Sequence, residues 1–198
     1  MVKPLTDSLY PVRVSGRTAI ARSKPGRCAS WVQAHATPPP PGSRILHHGA
    51  GRPNNADREF FDELYKDSSV VHYDPCFGDK NLEGRFDRAI SIYVFNTLPE
   101  RTRRLAWEEL FSHMSSGADL FVALRGRKSV ERRSYRQGWM YTPGLRGWIT
   151  GKGTFQAFLT PEGAIREAET ALPKRLSLGN ARISMSDSDS AILSFQFC

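Results

Sequence analysis

The sequence predicts an α/β fold in three layers, a mostly parallel sheet that ends in an antiparallel hairpin. Three observations carry this. Short apolar runs alternate with amphipathic stretches from Ser43 onward. The run "ADLFVALRG" is apolar almost throughout, as in a strand covered on both faces. The chain closes on "ARISMS" and "AILSFQF", two strand-like runs separated by the polar turn "DSDS".

In order along the chain, "RCASWVQAHA" spaces Ala29, Trp31, Val32 and Ala36 as a lead-in helix, and "HATPPPPGS" follows as a linker, because proline cannot donate a backbone hydrogen bond. "RILHH" reads as the first strand. After a Gly-Ala-Gly turn, "RPNNADREFFDELYKDSS" reads as a helix with Pro53 and Asn54 in its first turn. "SVVHYDP" and "GRFDRAISIYVF" are the next strands. Pro99 opens a helix that runs to Met114, with Ala106, Trp107, Leu110 and Phe111 on one face, and "SSG" ends it before the apolar strand. The segment from Arg125 to Gly153 has no clean period and reads as an irregular insertion. "LTPEGAIREAETAL" is the last helix, with Thr160 as its N-cap.

A chain of 198 residues, 39% hydrophobic, suits one domain. The expected division is a basic N-terminal arm with lead-in helix and Pro-rich linker over residues 1–42, and the α/β domain over 43–198 carrying the insertion at 125–153. Three scattered cysteines without CxxC spacing indicate neither a disulfide framework nor a zinc ribbon. Neither a signal peptide nor a stretch of membrane-spanning length is evident, so the expected setting is cytoplasmic, with no membrane contact.

The formal net charge of +8 is unevenly spread. Met1–Ser43 holds six basic residues against Asp7, and Arg125–Gly153 holds eight against Glu131. Clustered Lys and Arg attract polyanions, which makes nucleic acid the expected partner. In the second cluster Arg132, Arg133 and Arg136 are placed to meet phosphates, and Trp139 or Tyr141 to stack on an unpaired base. The same segment would serve as a lid over a small substrate.

The turn "HHGAG" decides the chemistry. Successive strand residues point to opposite faces, so His47 and His48 do not converge on one ion, and no metal is expected. A Gly-x-Gly turn between strand and helix instead lets a ligand approach the backbone and offers it helix N-terminal amides. Asp74, about twenty residues after Gly51, ends the second strand, where a carboxylate can accept hydrogen bonds from both hydroxyls of a ribose. A nicotinamide dinucleotide is disfavoured: the third glycine of its fingerprint is replaced by Asn54, and its sheet has no terminal hairpin.

"RILHHGAGRP", "VVHYDP", "FDRAISIYVFNTLP" and "ADLFVALRG" resemble the successive motifs of class I S-adenosylmethionine (SAM) dependent methyltransferases, whose Rossmann-like sheet ends in a reversed hairpin. More narrowly, "RTAIARSKPG", "YVFNTLPE" and "GKGTFQAFL" resemble phage and bacterial DNA methyltransferases, including those found near DNA phosphorothioation genes. The resemblance implies SAM as cofactor, its methionine portion over Gly49, Ala50 and Gly51, its ribose on Asp74 and its adenine against the loop after Pro75. Tyr93 and Asn96 would face the methyl group; Asn96 also reads as a helix cap. The family's usual acid two positions before the first glycine is His47 here. An imidazole beside a cationic cofactor implies that affinity falls as the pH drops from about 8 to 6. The function expected is methyl transfer to nucleic acid, chiefly DNA. The alternatives are a degenerate relative that binds nucleic acid or a host protein, and a SAM-using enzyme acting on a small molecule.

Overall fold

The computed structural model describes residues 12–19, 21–77, 81–174, 176, 178–179, 181–187 and 190–198. A short helix α1 (Val12–Ser15) runs into a 3-10 turn and then α2 (Arg27–His35). The next elements are β1 (Arg44–His48), α3 (Ala56–Leu64), β2 (Ser69–Tyr73), β3 (Phe86–Ile92), α4 (Glu100–Ser112) and β4 (Met114–Arg125). After these come α5 (Arg127–Gln137), β5 (Met140–Thr142), β6 (Gly147–Ile149), β7 (Phe155–Gln156), α6 (Pro161–Ala171), β8 (Arg182–Asp187) and β9 (Ser190–Gln196).

The main sheet has the order β2-β1-β3-β4-β9-β8. Its first four strands are parallel, and β9 inserts antiparallel between β4 and β8. Alternation along each strand divides the core in two. Leu46, Ala89 and Leu120 face α4 and α6, which contribute Ala106, Trp107, Leu110, Phe111, Ala164 and Ala168. Ile45, Ile90 and Phe121 face α2 and α3, which contribute Ala29, Val32 and Phe61. Arg103 locks α4 to α6 through a two-pronged contact with Glu167, at 2.7 and 2.6 Å. No described helix is long and apolar enough to cross a membrane.

Three expectations are corrected. The helix after the Gly turn begins at Ala56, because Arg52–Asn54 close a turn of their own in which Asn55 N donates to Arg52 O at 3.0 Å. β4 begins at Met114 and runs through "SSG", so those residues extend the strand. The segment 125–153 is regular: α5 is followed by the small antiparallel sheet β5-β6-β7. The buried face of α5 is only Ser129, Val130 and Ser134, too polar for an apolar period to register. Thr160 caps α6 as expected, accepting from Gly163 N at 3.1 Å.

Trp107 is fully buried, with its ring 3.7 Å from that of Phe95, the residue that opens the 3-10 turn after β3. Trp107→Ala should therefore cost about 3–5 kcal/mol in denaturant unfolding. A loss below about 1 kcal/mol would mean that the ring is not a core anchor.

Candidate functional site

The carboxyl ends of β1, β2, β3 and β4 open into one cavity of about 160 Å³. β1 supplies His47 and His48, the turn after it Gly49 and Gly51, and the end of β2 Tyr73, Asp74 and Pro75. Tyr93 and Val94 follow β3, and Arg125 closes β4. Ser15, Gly16, Thr18, Ala19 and Arg22 form part of the wall, as do Thr102, Ala106 and Glu109 of α4.

The Gly turn and the acid are braced against each other. Gly49 N and Ala50 N both donate to Tyr73 O, at 2.8 and 3.0 Å. Gly51 N donates to Asp74 Oδ2 at 2.9 Å, and Cys76 N to Asp74 Oδ1 at 2.8 Å. Gly49 and Gly51 have φ of +68° and +69°, a region that L side chains rarely adopt. A Cβ on Gly49 would also lie 2.1 Å from Val94 Cγ2. The expectation that free amides of the turn cradle a ligand is corrected: Tyr73 and Asp74 already take all three. Ala50 is buried and does not line the cavity.

The two histidines diverge as strand geometry requires. His48 packs against Tyr73 and Phe95 and meets Ser91 Oγ at 3.0 Å. His47 lies on the opposite face, beside Phe61, with Nδ1 3.1 Å from His72 Nδ1; His72 Nε2 is 3.0 Å from Asp62 Oδ1. Reading tautomers from partners, Asp62 fixes a proton on His72 Nε2, so His72 Nδ1 accepts from His47 Nδ1–H. That leaves His47 Nε2 as a bare acceptor. Burial holds the His47 pKa well below its ordinary 6.5, helped by His72 and Arg58. Burial thus opposes protonation of His47 and works against the weakening of cofactor binding expected as the pH falls from about 8 to 6. No group of three or more His, Cys, Asp or Glu able to hold a metal occurs among the described residues.

Tyr93 takes the left-handed conformation, φ 59°, and its hydroxyl lies 3.1 Å from Cys28 Sγ and 2.9 Å from Ser190 Oγ. Burial and the neighbouring Cys28 push its pKa up to about 12. Its ring lines the cavity, beneath the Arg125 guanidinium at 4.7 Å. Asn96 does not reach the cavity. It is fully buried and braces backbone, donating to Ala157 O at 2.7 Å and Arg125 O at 3.3 Å and accepting from Arg125 N at 2.8 Å. Its expected position facing a methyl group is corrected accordingly.

Of the residues expected to touch nucleic acid, Arg132, Arg133 and Arg136 are exposed along α5. Trp139 is half-buried and donates to Gln137 Oε1 at 3.0 Å, while Tyr141 is 52% exposed and packs edge-on against Trp148. Tyr135, absent from the sequence-based set, is 90% exposed between the arginines. Arg22, Arg125 and Gln156 were also missed. A charged residue closing an all-apolar strand was the available signal for Arg125.

The histidines make stability depend on pH. His48 is pushed down to about 4 by burial, and His47 and His72 are lowered chiefly by the same cause. Each binds protons more readily unfolded than folded, so their stabilisation is complete above about pH 6.5 and is lost below it, by up to about 1.4 kcal/mol per pH unit per histidine. Urea unfolding at descending pH should show this fall, and His48→Gln should make it shallower; a profile flat down to about pH 5 would contradict these assignments.

No family model matches the chain, and no curated protein matches it in sequence. Solved structures do. The glycopeptide N-methyltransferase MtfA complexed with S-adenosyl-L-homocysteine is similar at 14% identity and TM-score 0.54, over 91% of this chain and 93% of that one. The 1,6-didemethyltoxoflavin-N1-methyltransferase of Burkholderia thailandensis, with its substrate and S-adenosylhomocysteine bound, is similar at 9% identity and TM-score 0.53, over 85% and 76%. A Rhodobacter sphaeroides chain described as a Zn-dependent alcohol dehydrogenase is similar at 12% identity and TM-score 0.63, over 94% and 99%. The chain has the Rossmann-like fold of class I SAM-dependent methyltransferases, with its antiparallel strand pair at the C-terminal end.

Proposed function

We propose that the chain binds SAM in this cavity and transfers its methyl group. The observation that carries the reading is the juxtaposition of the Gly49–Gly51 turn and Asp74 at adjacent parallel strand ends, on a fold whose similar structures include methyltransferases holding S-adenosylhomocysteine. The residues fit the group. Each Asp74 oxygen accepts one backbone amide and keeps a lone pair for a ribose hydroxyl. His47, neutral and with Nε2 without a partner among the described residues, can accept from the cofactor's ammonium where the family uses an acid. SAM brings a methyl group on a cationic sulfur that leaves as a neutral thioether. What the chain must add is positioning and exclusion of water, which the wall residues Ser15, Gly16, Thr18 and Ala19 help provide.

Asp74→Asn is the test. Asp74→Ala would also strip the turn of two hydrogen bonds, whereas Asn keeps an acceptor and removes the charge. Calorimetric binding of S-adenosylhomocysteine should weaken by about 1.5–3 kcal/mol, the size of hydrogen bonds to a charged group. Unchanged affinity would remove Asp74 from the ribose, and a parent protein that binds no SAM or S-adenosylhomocysteine would leave a binding protein on a methyltransferase fold.

We further infer that the acceptor lies in nucleic acid, DNA foremost. Arg132, Arg133 and Arg136 line one exposed helix that follows directly from the cavity residue Arg125, and Tyr135 stands among them open for stacking. Binding of a single-stranded oligonucleotide should weaken with salt. Arg133→Ala and Arg136→Ala should each lower the slope of log affinity against log salt by about 0.7, and Tyr135→Ala should cost about 1–3 kcal/mol with little change in slope. Absence of any salt-dependent binding would overturn this acceptor class in favour of a small molecule.

A further inference from the structure

Arg125 is the one cavity residue contributed by β4, with β1 and β3 lying between that strand and β2, which leads into Asp74. Its backbone is pinned by Asn96, and its guanidinium lies over the Tyr93 ring. Among the described residues no carboxylate comes within ion-pairing distance of it. Burial lowers its pKa, Arg133 and Arg22 lower it as well, and Tyr93 and Cys28 act the other way. Arg22, which also lines the cavity, lies 3.9 Å from Asp57, whose Oδ1 is committed to Gly26 N at 2.7 Å. Tyr93, with its pKa raised, supplies a neutral ring face and no counter-charge. A partly desolvated guanidinium that has like charges near it and no carboxylate partner among the described residues is costly unless a ligand supplies the anion.

We propose that Arg125 and Arg22 form a receptor for an oxyanion, carboxylate or phosphate, at the β4 side of the cavity. The guanidinium face over Tyr93 leaves its N–H fork available for two oxygens of such a group. The assignment of the anion to the cofactor rests on the SAM reading; the receptor itself does not. A ligand with its ribose at Asp74 and its chain over the Gly turn extends across the sheet from β2 past β1, and reaches β4 with either its own carboxylate or the phosphate of an acceptor.

Calorimetry on the full chain and on Arg125→Gln separates these, using S-adenosylhomocysteine, 5′-methylthioadenosine, which keeps the adenosyl thioether but has no carboxylate, and inorganic pyrophosphate. A loss of about tenfold or more for S-adenosylhomocysteine, with 5′-methylthioadenosine changed less than about twofold, supports the receptor and assigns the cofactor's carboxylate to it. A loss confined to pyrophosphate supports it as an acceptor-phosphate site. Arg125→Lys, which keeps charge but not the fork, should recover part of either loss, and Arg22→Gln should reproduce it in a chain with Arg125 intact. Equal losses for S-adenosylhomocysteine and 5′-methylthioadenosine, or no loss for any of the three, overturn the receptor. A parent that binds neither adenosyl compound overturns the cofactor reading alone, and the pyrophosphate arm then decides the receptor.

Discussion

The Asp74 carboxylate is the joint on which the site depends. One oxygen takes the Gly51 amide from the turn after β1, the other takes the Cys76 amide from its own turn after β2. Together with the two amides held by Tyr73 O, this fixes the ends of two parallel strands relative to one another. Charge-assisted hydrogen bonds to buried amides are stronger than neutral ones, so a single side chain sets the shape of one wall of the cavity. The glycines supply the backbone angles that bring their amides to it, which is why the acid and the turn are best regarded as one unit.

The opposite wall is held by a different device. Asn96 ties the end of β4 to Ala157 through three backbone contacts, and so fixes Arg125 and the start of α5. Tyr93 is held in a strained conformation by its backbone N–H, which donates to Ala123 O at 3.0 Å, and by its hydroxyl contacts. Strain of this kind costs on the order of 1–3 kcal/mol and persists only where surrounding structure over-determines it. Its effect here is to turn the ring into the cavity, where it supports the guanidinium.

The sheet was legible because each strand carries a signal that survives averaging over neighbours. β4 is apolar on both faces, β8 and β9 flank a polar turn, and Asp74 interrupts an apolar run at a fixed distance from Gly51. α5 was not legible, because Val130 and two serines cannot mark a face against so many arginines. Asn96 was assigned by its place after β3, and its true use depends on Arg125 and Ala157, residues 29 and 61 positions away. The His47–His72–Asp62 chain likewise exists only through strand register, which sets His47 opposite His72. Spacing along a sequence conveys what one element offers; which groups two elements spend on each other is decided only when they pack.

That distinction bears on how the cavity can work at all. Among the charged groups of the cavity, Asp74 stands at the end of β2 and Arg125 at the end of β4, while Arg22 contacts Asp57 at 3.9 Å and Glu109 accepts from the Tyr73 hydroxyl. Burial of His47, on the strand between, favours its neutral form. The ligand best matched to such a gradient is one that offers hydroxyl donors at one end, a protonated amine near the middle and an oxyanion at the far end. A ligand lacking the oxyanion would leave the Arg125 guanidinium in the cavity with no carboxylate partner among the described residues, and one lacking the hydroxyls would leave Asp74 serving only the turn. The electrostatics thus constrain both ends of the ligand at once, and they do so independently of which atom finally receives a methyl group.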